Sequence, residues 1–173
     1  MRMVASGSPG PQELRARGVI LPVLVVTGGR TTLVPAMWDT GSDVTSVDRT
    51  LLQDMGAPQS GSIAIYTVAG PSSVGDYMAA IDLPTGLGGS VRLSDGPIPV
   101  LGDALNGHVR VLIGREIQAG YRLVVDGPAG RWAIYRPDPA PAGAPARGGS
   151  LVPAACIAGL GGVVFGLTAL LAR

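Results

Sequence analysis

Few side chains in this sequence could carry out acid–base or nucleophilic chemistry. There is one cysteine, Cys156, and one histidine, His108. A single cysteine excludes an intrachain disulfide framework and a cysteine-rich zinc site. A single histidine excludes the usual histidine-cluster metal site and leaves little material for a Ser-His-Asp or Cys-His centre. Carboxylates remain, and among the 12 Asp and Glu residues Asp39 stands apart. It sits in Trp38-Asp39-Thr40-Gly41-Ser42, behind apolar Met37 and ahead of Val44 and Val47. A carboxylate placed among buried strands is costly unless it is hydrogen-bonded or does chemistry. A glycine two positions later lets backbone approach it closely. Asp-Thr-Gly alone is weakly specific, and Asp39 as a turn or capping residue is the plain alternative. Downstream lies a second pattern, Val111-Leu112-Ile113-Gly114-Arg115-Glu116, an apolar strand running into Gly and a short helix. The other polar candidates read as ordinary: Asp126-Gly127 as a turn, His108 as a solvent-facing turn residue, Asp82 and Asp103 as carboxylates without a motif.

The elements that must position Asp39 follow from patterning. Two apolar runs, 18–26 and 31–38, flank Thr27-Gly28-Gly29-Arg30 and predict a β-hairpin. Runs 62–68 and 77–83 flank a glycine-bearing tip, 69–75. Runs 121–125 and 131–135 flank Asp126-Gly-Pro-Ala-Gly130 and give a third hairpin. Short helices are predicted over Asp48–Met55, closed by Gly56, and Arg115–Ala119, closed by Gly120. Regularly spaced short strands with turn signals point to an all-β barrel or sandwich. The 27 Gly and 15 Pro, against two Trp, four Tyr and one Phe, fit a turn-rich chain with an aliphatic core.

Beyond this domain, 18–136, the chain divides further. Residues 1–17 have no apolar run and read as a flexible arm, without the apolar stretch of a signal peptide. Residues 137–150, PDPAPAGAPARGGS, read as a linker. Residues 151–172 carry no charge, and at about 1.5 Å per residue a helix there spans roughly 33 Å, enough to cross a bilayer. The expectation is a C-terminal transmembrane helix acting as a tail anchor. Ala158, Gly162 and Gly166 form a small-residue row that permits close helix pairing, and Cys156 reads as a small apolar filler. Arg131, Arg136 and Arg147 precede the span and only Arg173 follows, which places the folded domain on the cytoplasmic side.

Together, Asp39-Thr40-Gly41-Ser42 and Val111-Leu112-Ile113-Gly114-Arg115 resemble the retropepsin-like (retroviral-type) aspartic peptidases, over residues 19–135. The resemblance implies an all-β closed barrel with a flap hairpin and a short helix. It implies Asp39 as the catalytic residue, with Thr40, Gly41 and Ser42 forming the supporting loop. Asp43 and Arg115 match a pair beneath the substrate cleft, and Val68, Ala69 and Gly70 fall at the flap tip. Trp38 is bulkier than the residue this family most often carries before its Asp. No metal or organic cofactor is implied.

Such chemistry needs two facing carboxylates that share one proton, and no second Asp-Thr/Ser-Gly occurs in the sequence. The expectation is therefore a homodimer contributing two copies of Asp39 and cleaving protein or peptide substrates. A non-catalytic, membrane-tethered dimeric peptide-binding scaffold is the rival, and a small membrane β-barrel unrelated to peptidases a more distant one. With 46% hydrophobic and 14% charged residues the chain is not of the disordered class. Its 13 Lys and Arg nearly balance the 12 acids, so no nucleic-acid footprint is present.

Overall fold

In a computed structural model of the chain, residues 1–67, 70–85, 88–94, 96–105 and 107–138 are described. The elements run β1 (Arg2–Gly7), α1 (Pro11–Arg17), β2 (Ile20–Thr27), β3 (Arg30–Trp38), β4 (Ser46–Asp48), α2 (Arg49–Asp54), β5 (Gln59–Thr67), β6 (Gly70–Pro84), β7 (Ser90–Arg92), β8 (Ile98–Asp103), β9 (Val111–Ile113), α3 (Arg115–Gln118), β10 (Arg122–Asp126) and β11 (Arg131–Arg136).

The first hairpin forms where the sequence places it. Gly28 and Gly29 take φ of 55° and 72° between the paired residues Thr27 and Arg30. Two positive φ values in a two-residue loop match the twist of the flanking strands, and glycine adopts them without strain. Along β2, Leu21, Val23 and Val25 are buried while the residues between them are not, the period-two pattern of a strand with one core face. Strands β2, β3, β9, β4, β8 and β6 pair in that order, and β6 returns to β2 through Leu24–Asp82, Val25–Ile81 and Val26–Ala80. The result is a closed six-strand barrel, one of the two architectures, barrel or sandwich, to which the regularly spaced short strands point. Its interior is aliphatic: Val23, Val25, Ala36, Val47, Ile81, Val100, Val111 and Ile113 are all essentially solvent-free.

Two pairings inside the barrel are parallel, β3 with β9 and β4 with β8. Parallel neighbours end at the same level, which matters below. β5 and β6 extend beyond the barrel as a long hairpin, with Thr67 paired to Gly70. The sequence predicted a tip over 69–75, yet from Gly70 onward the chain is strand, with Pro71, Ser72 and Ser73 paired to Tyr66, Ile65 and Ala64. Turn-forming residues are tolerated there because the ribbon is exposed and its strand is an edge. Val68 and Ala69 lie outside the described residues.

Residues 1–17 are not a loose arm. Arg2–Gly7 pairs antiparallel with β11, which pairs in turn with β10, giving a second sheet ordered β1-β11-β10. Helix α1 follows, opened by Pro11, where a missing N–H costs nothing. It is seated by Leu14, 7% exposed, and closed by Gly18 donating to the Leu14 carbonyl. The polar composition of the segment hides this because its strand partner lies at the far end of the folded chain. Trp132 and Ile134 of β11 bury against the same core as the barrel, so the second sheet is tied to the first.

The remaining helices match the sequence closely. α2 is capped by the Asp48 carboxylate accepting from Leu51 N at 3.0 Å, and Gly56, with φ of 67°, follows its last turn. Among the described residues no helix is long and apolar enough to cross a membrane. The linker beyond Asp138 and the span 151–172 lie outside the described residues.

Candidate active site

The site begins with the parallel pair β3–β9. Trp38 is in register with Ile113, so the two sequence motifs end side by side. Asp39 N–H donates to the Ile113 carbonyl at 3.1 Å, carrying the β-ladder one residue further. From there the chains diverge into two loops, 39–45 and 113–118, which fasten to one another.

Six hydrogen bonds make that junction. Gln118 Nε2 donates to the carbonyls of both Asp39 (2.8 Å) and Ile113 (2.6 Å), bridging the two strand ends. Arg115 N–H donates to the Ser42 carbonyl at 2.9 Å and Glu116 N–H to the Asp43 carbonyl at 3.4 Å. Glu116 Oε1 accepts from Thr45 N at 2.6 Å, and Thr45 Oγ1 accepts from Gly114 N at 3.0 Å. Thr45 is fully buried, where an unpaired backbone N–H would be costly. Gly114 is required by closeness: a Cβ there would lie 2.4 Å from the Val44 carbonyl carbon and 2.6 Å from Thr45 N. Any larger residue would push the loops apart.

The Asp39 backbone is thus fixed on three sides, while its side chain is half-buried. Its Oδ1 accepts from Gly41 N at 2.9 Å, which orients the carboxylate across its own loop. Among the described residues no cation pairs with it. Arg115 pairs instead with Asp43. That pair does form, but its side chains are 61% and 42% exposed, so it adds little stability and works as a surface tie between the two loops.

The other named residues fall as follows. Ser42 is buried and its hydroxyl donates to the Val44 carbonyl at 2.7 Å, tightening the loop. Thr40 and Gly41 are exposed. The threonine hydroxyl that braces the loops within one chain is therefore that of Thr45. Gly70 opens β6 with φ of 112°. Trp38 is buried and meets the Tyr121 ring edge-on, with centroids 6.1 Å apart. The bulkier residue before Asp39 is accommodated by an aromatic partner just past α3. His108 is exposed, and Asp82 is buried with its charge met by Arg92 at 3.1 Å and the Ser90 hydroxyl at 3.2 Å. Asp126 Oδ1 caps the β10–β11 turn through Ala129 N.

Three residues of the junction carry no signal in the sequence: Thr45, Glu116 as a loop brace, and Gln118. A polar Thr45 inside Val44-Thr45-Ser46-Val47 is the only local hint. Chemically, the arrangement offers one oriented, half-buried carboxylate on a backbone platform built from both motifs. Among the described residues no three His, Cys, Asp or Glu side chains group to hold a metal ion.

No family model matches this chain, and no curated protein matches it. Among solved structures, the chain is similar to the solution structure of simian foamy virus (mac) protease, with 20% sequence identity and a TM-score of 0.37. The likeness covers 57% of this chain and 91% of that one.

Proposed function

We propose that this chain is an aspartic endopeptidase that works as a homodimer, each copy supplying one Asp39. The observation that carries the proposal is the convergence of residues 39–45 and 113–118 on one carboxylate that is held by its backbone and that no cation pairs with among the described residues. In the dimer the two carboxylates face each other across a water and share one proton, because like charges so close do not both ionise. One carboxylate takes a proton from the water as its oxygen attacks the scissile carbonyl. The other gives its proton to the carbonyl oxygen. As the C–N bond then breaks, the first returns its proton to the leaving nitrogen while the second takes a hydroxyl proton from the intermediate, releasing an acid and an amine and restoring the pair.

The remaining residues take supporting parts in this reading. Thr40, exposed in one chain, meets the partner's loop. Gly41 offers backbone to an extended peptide. Asp43 and Arg115 hold the floor of the cleft, and Val68, Ala69 and Gly70 cover it from the hairpin above. Residues 151–172 attach the protein to a membrane with the barrel on the cytoplasmic side, supported by 22 uncharged residues and the arginines that precede them.

Purified wild-type protein and Asp39→Ala, each incubated with a peptide library, test the activity. Wild type cleaves and the variant does not. Cleavage by both at equal rates rejects the catalytic assignment, and cleavage by neither favours a peptide-binding scaffold. For attachment, the full chain floats with vesicles after an alkaline wash while a chain ending at residue 150 does not. Loss of both from the vesicles removes the membrane part of the proposal and leaves the chemistry standing.

A further inference from the structure

The sheet β1-β11-β10 has one face against the core and one face open. Trp132 and Ile134 of β11 bury in the core shared with the barrel, so by strand alternation Arg131, Ala133 and Tyr135 lie on the opposite face. Register carries that face across the sheet. Met3, Tyr135 and Arg122 form one row, Ser6, Ala133 and Val124 the next, and Arg131 and Asp126 the last. Met3 is 55% and Val124 41% exposed, and both Arg122 and Arg131 are exposed. The face is an apolar strip flanked by arginines. Charge is also divided between the two parts of the fold. The three strands of this sheet hold four arginines and one acid, Asp126, whereas residues 20–118 hold five arginines and nine acids. Arg131 lies across from Asp126. At the other end of the sheet, one row from Arg122, Arg2 and Arg136 stand directly opposite one another. With Pro137 and Asp138 they line a cavity of about 420 Å³. Asp138, the acid on its rim, pairs with the Met1 amino group, and Arg136 also lies over the Tyr121 ring, 6.0 Å from its centroid. Like charges directly opposite disfavour a ribbon, and an anion between them removes that penalty.

We infer that this open face lies on the surface of an anionic bilayer, with Met3, Tyr135 and Val124 at the level of the lipid headgroups and Arg2, Arg122 and Arg136 against their phosphates. The inference rests on the membrane attachment proposed above and names the surface that attachment brings to the lipid. Three observations favour lipid as the occupant. First, β11 ends at Arg136, and only the 14 residues 137–150 separate it from the uncharged stretch 151–172. A tether of that length holds the face near the bilayer at an effective concentration of about millimolar, so a weak surface suffices. Second, a tyrosine among exposed aliphatic side chains and arginines suits headgroup depth, where an apolar body meets lipid and a polar tip stays wet. Third, each arginine near an anionic surface strengthens the contact about fivefold, while the acid excess of residues 20–118 is repelled by the same lipid. The division of charge therefore favours one orientation over all others.

Seated this way, the sheet stands between the bilayer and the barrel, because its inner face packs on the barrel core. A tether alone sets no orientation; the arginine-flanked face does. A second copy of this chain, offering its acidic barrel to the basic sheet, is the rival occupant, and it needs no lipid.

The test uses the full chain with Cys156→Ser and one new cysteine, Met3→Cys on the open face or Leu33→Cys on the barrel, where Leu33 is 59% exposed. Each cysteine carries an environment-sensitive fluorophore. The chain is reconstituted into vesicles of phosphatidylcholine, or of equal parts phosphatidylcholine and phosphatidylserine, with a nitroxide-headgroup lipid as quencher. The label at 3 is quenched in the anionic vesicles and about fivefold less, or weaker still, in the neutral ones. High salt releases it, and the label at 33 is unquenched in both. Adding Arg122→Glu lowers the quenching at 3 in anionic vesicles by about fivefold or more. Should Met3→Cys misfold, Ser6→Cys, in the neighbouring row of the same face, gives the same reading. Equal quenching at 3 and 33, or equal quenching at 3 in neutral and anionic vesicles, overturns the docking. So does a label at 3 that is already shielded in neutral detergent, which shows a protein surface covering the face. In a parallel sample, a chain stripped from the vesicles by the alkaline wash removes the attachment and the docking with it. A chain that stays but gives one of the contrary quenching results loses the docking alone.

Discussion

Asp39 is a carboxylate held through its backbone and oriented by a single amide, that of Gly41. Replacing it by Asn keeps the volume and the Gly41 contact and removes the proposed acid–base function. The expected loss in cleavage rate is at least about 10²–10⁴, the range one positioned acid or base contributes, with thermal unfolding unchanged. The braces behave in the opposite way. Thr45→Val keeps the shape of a buried residue but leaves Gly114 N–H without an acceptor, which should cost about 1–3 kcal/mol of stability. Gln118→Ala frees the carbonyls of Asp39 and Ile113 together. Its expected signature is a reduced kcat with KM little changed, because the catalytic loop drifts while the cleft keeps its walls. Urea unfolding checks the first and steady-state kinetics the second. An unaltered unfolding midpoint in Thr45→Val would show that the loops are held by something other than this bond.

Among the elements, β1 is the one whose role is least evident from composition. Removing residues 1–9 strips the outer strand from β11 and exposes one face of the aromatic Trp132, which a Cβ at Gly7 would touch at 2.5 Å. The truncated chain should unfold at clearly lower urea concentration; an unstructured arm could be removed without effect. What could be read from sequence depended on how local each signal is. The β2–β3 hairpin announces itself by Gly28-Gly29 between β-branched runs, and α2 by Asp48 before it and Gly56 after it. β1 could not be read because it pairs Arg2 with Arg136, and no local pattern encodes a partner that distant. The β5–β6 hairpin is hard to read from sequence for a related reason. Gly70-Pro71-Ser72-Ser73 has turn composition, but an exposed ribbon does not need the residues that buried strands need. At the site, Asp39 and Gly114 are legible as motifs. Thr45 and Gln118 are not, because their partners become neighbours only once β3 and β9 lie parallel, with Gln118 reaching across 79 residues to Asp39.

At the scale of the whole molecule, one barrel carries one carboxylate of this kind, and the proposed chemistry needs two. Among the described residues the closed barrel leaves edges only at the projecting β5–β6 hairpin and at the short β7, which pairs with β6 alone. Anchoring two such chains in one bilayer would raise their effective concentration and favour assembly without any new contact. Activity of a detergent-solubilised sample should therefore fall faster than protein concentration on dilution, and fall less when the same chain is held in vesicles. The most direct measurement mixes wild-type chains with increasing Asp39→Asn chains and follows cleavage per wild-type chain after exchange. If each site needs one Asp39 from each of two copies, that activity falls in proportion to the wild-type fraction, to about half at a 1:1 mixture with random pairing. If it stays constant, each chain works alone and the shared-carboxylate account is wrong.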